Sequence, residues 1–314
     1  MGGHQLHPKP RSAILYPSMP TPIPYDPSKQ ALYRPESRPP LAMTRDWSLD
    51  AIAAEWSRLA YRRFEVEPGE KQVIADAVAA VGFGKIGGGI GWFHEAAEKA
   101  VFSAKGFGAV DDAGRAIIAF RGTQTDNVRD FLTDIRVALE DWEHPGRVHS
   151  GFSASLSTIL ALVEQWLAET APRHLALTGH SLGAALATLL AARLAPQGHS
   201  IELVTFGSPR VGDEALVASL RPLAVRRYVN CTDAVTQLPP PLLYNHVEGL
   251  HYIDRDGRIH VGEPLPISML KDQRAAHRAY LPLMWRPANL QWRGLADHAP
   301  INYVSALIAG IAPD

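Results

Sequence analysis

Residues 175–195 read LALTGHSLGAALATLLAARLA, and no other stretch restricts the fold of this chain as strongly. Residues 175–178 have strand character. They run without a spacer into Gly-His-Ser-Leu-Gly, and residues 182–194 continue as an alanine- and leucine-rich helix. A strand that becomes a helix this abruptly must turn within two or three residues, and Gly179 and Gly183 leave room for the backbone to do so. Ser181 then sits at the carboxyl end of a strand and at a helix N-terminus, with its hydroxyl pushed out of the sheet. Backbone amides face any negative charge that develops there. The plainer reading of the same residues is a tight turn with an N-capping serine.

The flanking sequence predicts the sheet into which this turn is built. Residues 106–123, GFGAVDDAGRAIIAFRGT, hold turn residues at 112–114 between two apolar runs, which predicts a hairpin. Its second strand, 116–120, ends at Arg121, Gly122 and Thr123. Beyond it, helical patterns at 152–170, 182–194 and 213–220 alternate with strand patterns at 175–178, 202–206 and 225–229. Such alternation implies an α/β fold, a mostly parallel sheet covered on both faces. HYIDRDGRIHV reads as a hairpin turning at Asp256 and Gly257, with His251 and His260 facing one another across it. A final helix is expected over 301–309. Upstream, Ile52, Trp56, Leu59 and Tyr61 fall near one helical face, and a second helix is expected over 71–81. GFGKIGGGIG after it is too glycine-rich for regular structure.

Ten of the first 40 residues are proline. Proline resists helix interiors and central strands, so residues 1–43 read as an extended N-terminal arm. The arm is either mobile or wrapped on the domain through Ile14, Leu15, Tyr16 and Tyr25; residues 44–314 form one domain. The net charge is −1, and no basic cluster is interleaved with aromatics, which argues against a nucleic-acid partner. No apolar run reaches the roughly 20 residues that span a bilayer, and the N-terminus lacks the apolar core of a secretory signal. The expected location is the cytoplasm, or outside the cell by a route without a cleaved signal. Cys231 is the single cysteine, so no internal disulfide is expected, and it reads as a small buried hydrophobe. His4 and His7 lie in the arm, and there is no HExxH or CxxC. Neither a metal nor a cofactor is expected.

A serine nucleophile needs a base, and the base needs an acid that holds its tautomer. In sheets of this kind the chain order is serine, acid, histidine. Asp233 directly follows the 225–229 strand, in VNCTDAVTQLPP. The competing acids are Asp213, Glu248, Asp254, Asp256 and Asp297; the last is too close to the candidate histidine in sequence to reach its far ring nitrogen. His298 lies in the loop before the last helix, in LADHAPINYV, from which it can swing to the rim of the sheet. Its rivals are His246, His251, His260 and His277.

Taken together, these residues resemble the class 3 (fungal-type) lipases of the α/β-hydrolase fold, over roughly 107–304. The resemblance is carried by AFRGT (119–123), DFLTDI (130–135), VHSGF (148–152), TGHSLGAALA (178–187), TFGSPRVGD (205–213), VNCTDAVTQLPP (229–240) and His298 with Tyr303. It implies Ser181 as nucleophile, Asp233 as acid and His298 as base. Thr123 and Leu182 correspond to the oxyanion-hole residues, Asp134 to an acid that supports Thr123, and Gly179, His180 and Gly183 to the supporting shell of the turn. Residues 124–143 correspond to a short helical lid. Val128, Phe131, Leu132, Ile135 and Leu139 have helical spacing there, which fits either a lid or ordinary core packing. The implied activity is hydrolysis of lipid carboxylic esters through an acyl-enzyme, of triacylglycerol lipase type. An esterase, a phospholipase A1 or a feruloyl-type esterase would use the same scaffold; a non-catalytic ligand-binding protein and an exported toxin-like lipase are further readings. The implied partners are an ester substrate and, transiently, a lipid–water interface. The arm and a cap-like insertion over 266–293 have no counterpart in the family pattern. The insertion reads equally as a membrane- or partner-facing cap and as a helix packed on the core.

Overall fold

Strands whose residues are apolar on both faces must be covered on both sides, and this alternation organises the molecule. A computed structural model describes residues 22–84, 89–95, 104–123, 139–262 and 264–309. Helices α1 (Lys29–Tyr33), α2 (Leu49–Leu59) and α3 (Pro68–Ala80) precede strands β1 (Ile90–His94), β2 (Lys105–Val110) and β3 (Arg115–Phe120). A ribbon of β4 (Leu139–Asp141) and β5 (Arg147–His149) leads into α4 (Ser150–Thr170). The alternating stretch follows: β6 (His174–His180), α5 (Leu182–Leu194), β7 (Ile201–Phe206), α6 (Glu214–Leu220) and β8 (Ala224–Asn230). The chain closes with β9 (Leu250–Ile253), β10 (Ile259–Val261), α7 (Pro266–Met284), α8 (Arg293–Ala296) and α9 (Pro300–Ala309).

Among the described residues the main sheet has the order β1-β2-β3-β6-β7-β8-β9-β10. The inner strands β3, β6, β7, β8 and β9 are parallel, and the outer pairs are antiparallel. Neighbouring strand residues enter different cores. Ile117, Ala176 and Val204 pack with Trp56, Ile74 and Val304 on one face. Ile118, Leu177 and Leu203 pack with Phe152, Ile159 and Leu190 on the other. Helix α5 is buried almost throughout its length, which explains why its sequence carries no polar face. No helix of the described residues is long and apolar enough to cross a membrane.

The structure departs from the sequence reading in four places. The tail of the glycine-rich segment is not irregular: Ile90–His94 is strand β1, paired with β2. The glycines there are required by packing, because a Cβ on Gly91 would lie 2.7 Å from the Trp166 ring and one on Gly108 3.1 Å from it. His251 and His260 do not face each other. His260 is opposite Tyr252, and His251 is opposite Val261. The end of the segment expected as a helical lid is instead strand β4, because Leu139, Glu140 and Asp141 pair with His149, Val148 and Arg147. Residues 124–138, with Asp134, lie outside the described residues.

The fourth difference concerns the arm, whose described part is not uniformly extended. Ser28 Oγ accepts from the Ala31 amide and caps α1, which buries Ala31 and Leu32. Prolines leave carbonyls free to accept, and Arg58 uses them. Its guanidinium is buried, donates to the carbonyls of Pro35, Arg38 and Pro39, and pairs with Glu55 at 2.6 Å. Glu55 also accepts from the Leu41 amide. Nearer the start of the arm, Asp26 and Asn302 exchange two hydrogen bonds, and Tyr25 donates to Asp297. Ile14, Leu15 and Tyr16 lie outside the described residues.

Candidate active site

Parallel strands bring their carboxyl ends to one rim, so residues far apart in sequence meet there. Ser181 leaves β6 with φ 60° and ψ −126°, a conformation that a side chain seldom adopts. Its amide donates to Phe206 O at 3.0 Å, which ties the turn to β7. The two glycines are steric requirements. A Cβ on Gly179 would lie 2.2 Å from the Gly183 carbonyl carbon, and one on Gly183 would lie 2.2 Å from Phe120 O. Helix α5 starts at Leu182, whose amide belongs to the first turn, where no intrahelical acceptor exists.

Beyond β8 the chain places Asp233 with no solvent exposure. Its Oδ1 accepts from the Val235 amide at 2.9 Å. Its Oδ2 accepts from His298 Nδ1 at 2.8 Å and from the Tyr303 hydroxyl at 2.6 Å. The Tyr303 oxygen in turn accepts from the Asn230 amide, so its proton is directed at Asp233. Nδ1 of His298 therefore carries the proton, and Nε2 holds the lone pair. Gly207, at the end of β7, lies against this pair. It has φ 58°, and a Cβ there would lie 2.8 Å from Asp233 Oδ2 and 2.9 Å from His298 Nδ1. Ser181 at the end of β6, Gly207 at the end of β7 and Asp233 beyond β8 thus occupy adjacent strand ends.

His180 lies beneath this arrangement. Its Nε2 donates to the His298 carbonyl at 2.7 Å, because a carbonyl can only accept. Its Nδ1 accepts from the Tyr61 hydroxyl at 2.8 Å, and its ring packs on that of His298 at 4.4 Å. Burial first, and the neighbouring His298 second, push its pKa well below the ordinary value. On the opposite side of Ser181 from His298, β3 ends at Gly122 and Thr123. A Cβ on Gly122 would lie 2.0 Å from the Tyr61 oxygen and 2.6 Å from His180 O. Thr123 Oγ1 is buried without a partner among the described residues. The preceding Arg121 forks onto Glu65 at 2.6 and 2.7 Å and anchors this strand end. Burial alone would raise the Glu65 carboxyl, but hydrogen bonds and charge from Arg121 bring it down to about 2.

The rival residues have other partners. Asp213 caps α6, Glu248 pairs with Arg221, and Asp254 accepts from His260 at 2.8 Å. Asp256 lies 3.6 Å from Arg255. Asp297 is bound by Tyr25, Thr232 and Arg293, and burial raises its pKa. His246 bonds Thr236 O and His251 bonds Gly249 O, while His277 is exposed on α7. Among the described residues, no group of three or more His, Cys, Asp or Glu side chains is arranged to hold a metal. The contributions of Gly207, Tyr61 and Tyr303 are not readable from spacing. Tyr303 was visible only as a residue that accompanies His298 in the family pattern, and Gly207 only as part of TFGSPRVGD.

Two measurements test this geometry. Tyr303→Phe removes a donor to a buried carboxylate, an interaction worth about 1.5–3 kcal/mol, and should lower kcat on a soluble ester about 10- to 100-fold with a near-unchanged KM. Unchanged turnover would mean that the Asp233 carboxylate does not need this bond. The second is the dependence of Tm on pH. His180 and His246 are both held neutral by burial, so the unfolded chain takes up protons below about pH 6.5 that the folded chain does not. Their contribution is complete above that pH and is lost as pH falls, so Tm should decline from pH 7.5 to 5.5. A flat profile would contradict neutral burial of these rings.

Known proteins resemble part of this chain. Residues 117–243 match the family model described as "Lipase (class 3)". A secreted mono- and diacylglycerol lipase 1 of Fusarium solani is 31% identical over 156 residues, 46% of this chain and 46% of that protein. The toxin TseL of Vibrio cholerae is 34% identical over 110 residues, 34% of this chain and 17% of that protein. The chain thus spans about half the length of the first of these relatives, 46%, and less of the second. Among solved structures, a triacylglycerol lipase superposes with TM-score 0.54 at 21% identity, covering 79% of this chain and 89% of the other, which shows the shared α/β-hydrolase fold.

Proposed function

We propose that the chain belongs to the class 3 lipase family, whose model matches residues 117–243, and that it hydrolyses carboxylic esters of lipids through an acyl-enzyme on Ser181. The observation that carries this reading is the order of the strand ends. Ser181 stands in a strained turn at the end of β6, Gly207 ends the neighbouring β7, and the Asp233–His298 pair, joined at 2.8 Å, lies against Gly207 with the His298 ring 4.4 Å from that of His180.

The chemistry follows from the proton positions. Ser181 Oγ attacks the ester carbonyl carbon while His298 Nε2 takes the hydroxyl proton. Asp233 orients the ring and stabilises its charged form. The amides of Leu182 and Thr123 hold the oxyanion, where preorganised donors lower the barrier without reorganising. The leaving alcohol departs with the proton from Nε2. Water then loses a proton to the same nitrogen and attacks the acyl carbonyl, and Ser181 Oγ leaves with that proton as the carboxylic acid is released. The step balances with water as the sole co-reactant, so no cofactor is needed. The Fusarium relative is named for mono- and diacylglycerols and as secreted, and the Vibrio relative as a toxin. These names support acylglycerols as the first substrates to try, and action on lipids outside the cell that makes the protein.

The test is a set of initial rates on p-nitrophenyl esters from acetate to palmitate and on emulsified triolein, with fluorophosphonate labelling of the protein. Turnover of long chains, with one label per chain on the Ser181 peptide, is expected. A rate that rises once substrate exceeds its solubility marks a lipase. Saturation on soluble short esters alone would shift the reading to an esterase. Neither turnover nor labelling would overturn it in favour of a ligand-binding protein.

A further inference from the structure

Helix α7 (Pro266–Met284) presents an outward face that nothing among the described residues covers. Successive helical residues are rotated by about 100°. Ile267, Lys271, Arg274, Arg278, Leu281 and, at the helix end, Trp285 therefore fall within an arc of about 80° over roughly 27 Å of helix. All six are exposed: Ile267 at 56%, Leu281 at 55% and Trp285 at 81%. The stripe is apolar at both ends and cationic in the middle.

The charges of this face are all of one sign. The chain as a whole has a net charge of −1. Some exposed arginines elsewhere, such as Arg115, Arg147 and Arg221, pair with carboxylates, whereas others, such as Arg63 and Arg173, stand singly among the described residues and form no such stripe. Lys271, Arg274 and Arg278 pair with none among the described residues. Asp272 is the one acid between 264 and 292, and it points inward, where Oδ2 accepts from the Tyr252 hydroxyl at 2.8 Å. The inner face is satisfied and closely tied to the candidate site. Gln273 donates to Cys231 O, two residues before Asp233, and Arg293 bridges Ala276 O to Asp297, the neighbour of His298.

We propose that this outward face docks the protein on an anionic phospholipid bilayer. Each cation near an anionic membrane surface is attracted to it. Long Lys and Arg stems and a Trp ring suit the headgroup boundary, where one part of a side chain is dry and the other wet. Charge complementarity selects an anionic bilayer over neutral oil, because three unpaired cations gain nothing from an uncharged surface. The proposal rests on the lipid-ester reading for its purpose: through Gln273 and Arg293, the docked helix would hold the loops of Asp233 and His298 next to their substrate.

The binding test avoids hydrolysis by using the full chain carrying Ser181→Ala. It is sedimented with vesicles of 70:30 phosphatidylcholine and phosphatidylglycerol, and with pure phosphatidylcholine. Binding to the anionic vesicles, weakened by added NaCl, is expected. Adding Lys271→Gln, Arg274→Gln and Arg278→Gln should lower the partition coefficient on the order of 100-fold. The same three substitutions in the Ser181 protein should leave turnover of p-nitrophenyl butyrate within about two-fold, and that retained turnover also shows that the variant folds. Equal binding to neutral and anionic vesicles, unchanged binding of the triple variant, or no binding at all would overturn the proposal. The last outcome would turn attention to an acidic protein as the occupant. Failure of the ester-hydrolase reading shows separately, as absent p-nitrophenyl butyrate turnover in the unsubstituted protein.

Discussion

Ser181→Ala should lower kcat on any ester substrate roughly 10⁴-fold or more while leaving the fold intact. The side chain is almost wholly buried at the rim, and the hydroxyl makes no hydrogen bond that caps α5. Its removal therefore costs little in packing. The backbone adds a second, independent expectation. At φ 60° and ψ −126° a Cβ is strained and glycine is not, so Ser181→Gly should be as inactive as the alanine variant and more stable, by about 1 kcal/mol. A higher Tm together with lost turnover would mark strain held for function. Substantial activity in either variant would remove Ser181 as the nucleophile.

Asp233→Asn should be nearly as damaging, with kcat lower on the order of 10⁴-fold. An amide can donate to His298 Nδ1 where the carboxylate accepts from it, and the ring then presents a proton at Nε2 instead of a lone pair. The Tyr303 hydroxyl also loses an ionic acceptor. Asp254→Asn serves as the contrast. Asp254 is tied to His260 and to the turn amides of Asp256 and Arg258, so its loss should leave turnover unchanged. Asp297→Asn should lower Tm, because a buried carboxylate shared by Tyr25, Thr232 and Arg293 is lost, while chemistry persists. A collapse of activity in Asp254→Asn with retention in Asp233→Asn would reassign the acid.

Helix α5 matched its sequence reading at both ends, 182 and 194, because an abrupt turn and an unbroken apolar run leave few alternatives. The hairpin of β2 and β3 was equally legible, since its turn residues are local. Strand β1 was not. Glycine-rich sequence says nothing local in favour of a strand, and only the Trp166 indole lying across Gly91 and Gly108 explains those glycines. The pairing of His260 with Tyr252 was missed for a related reason. A one-residue shift of register moves every side chain to the other face, and local sequence fixes register weakly in so short a hairpin.

The sequence by itself determined the strand–turn–helix at Ser181, the order of candidate serine, acid and base along the chain, and the alternation that makes a parallel sheet. Each depends on residues within a few positions of one another, or on the order of the chain. Tertiary structure alone decided what stands around them: the Tyr303 hydroxyl on Asp233, Gly207 between the strand ends, the Tyr61–His180 link to the His298 carbonyl, and Tyr25 of the arm on Asp297. These contacts join residues up to 272 positions apart. Those at the strand ends exist because parallel strands deliver their carboxyl ends to one rim, and the Tyr25 contact exists because the arm packs on the segment that carries Asp297.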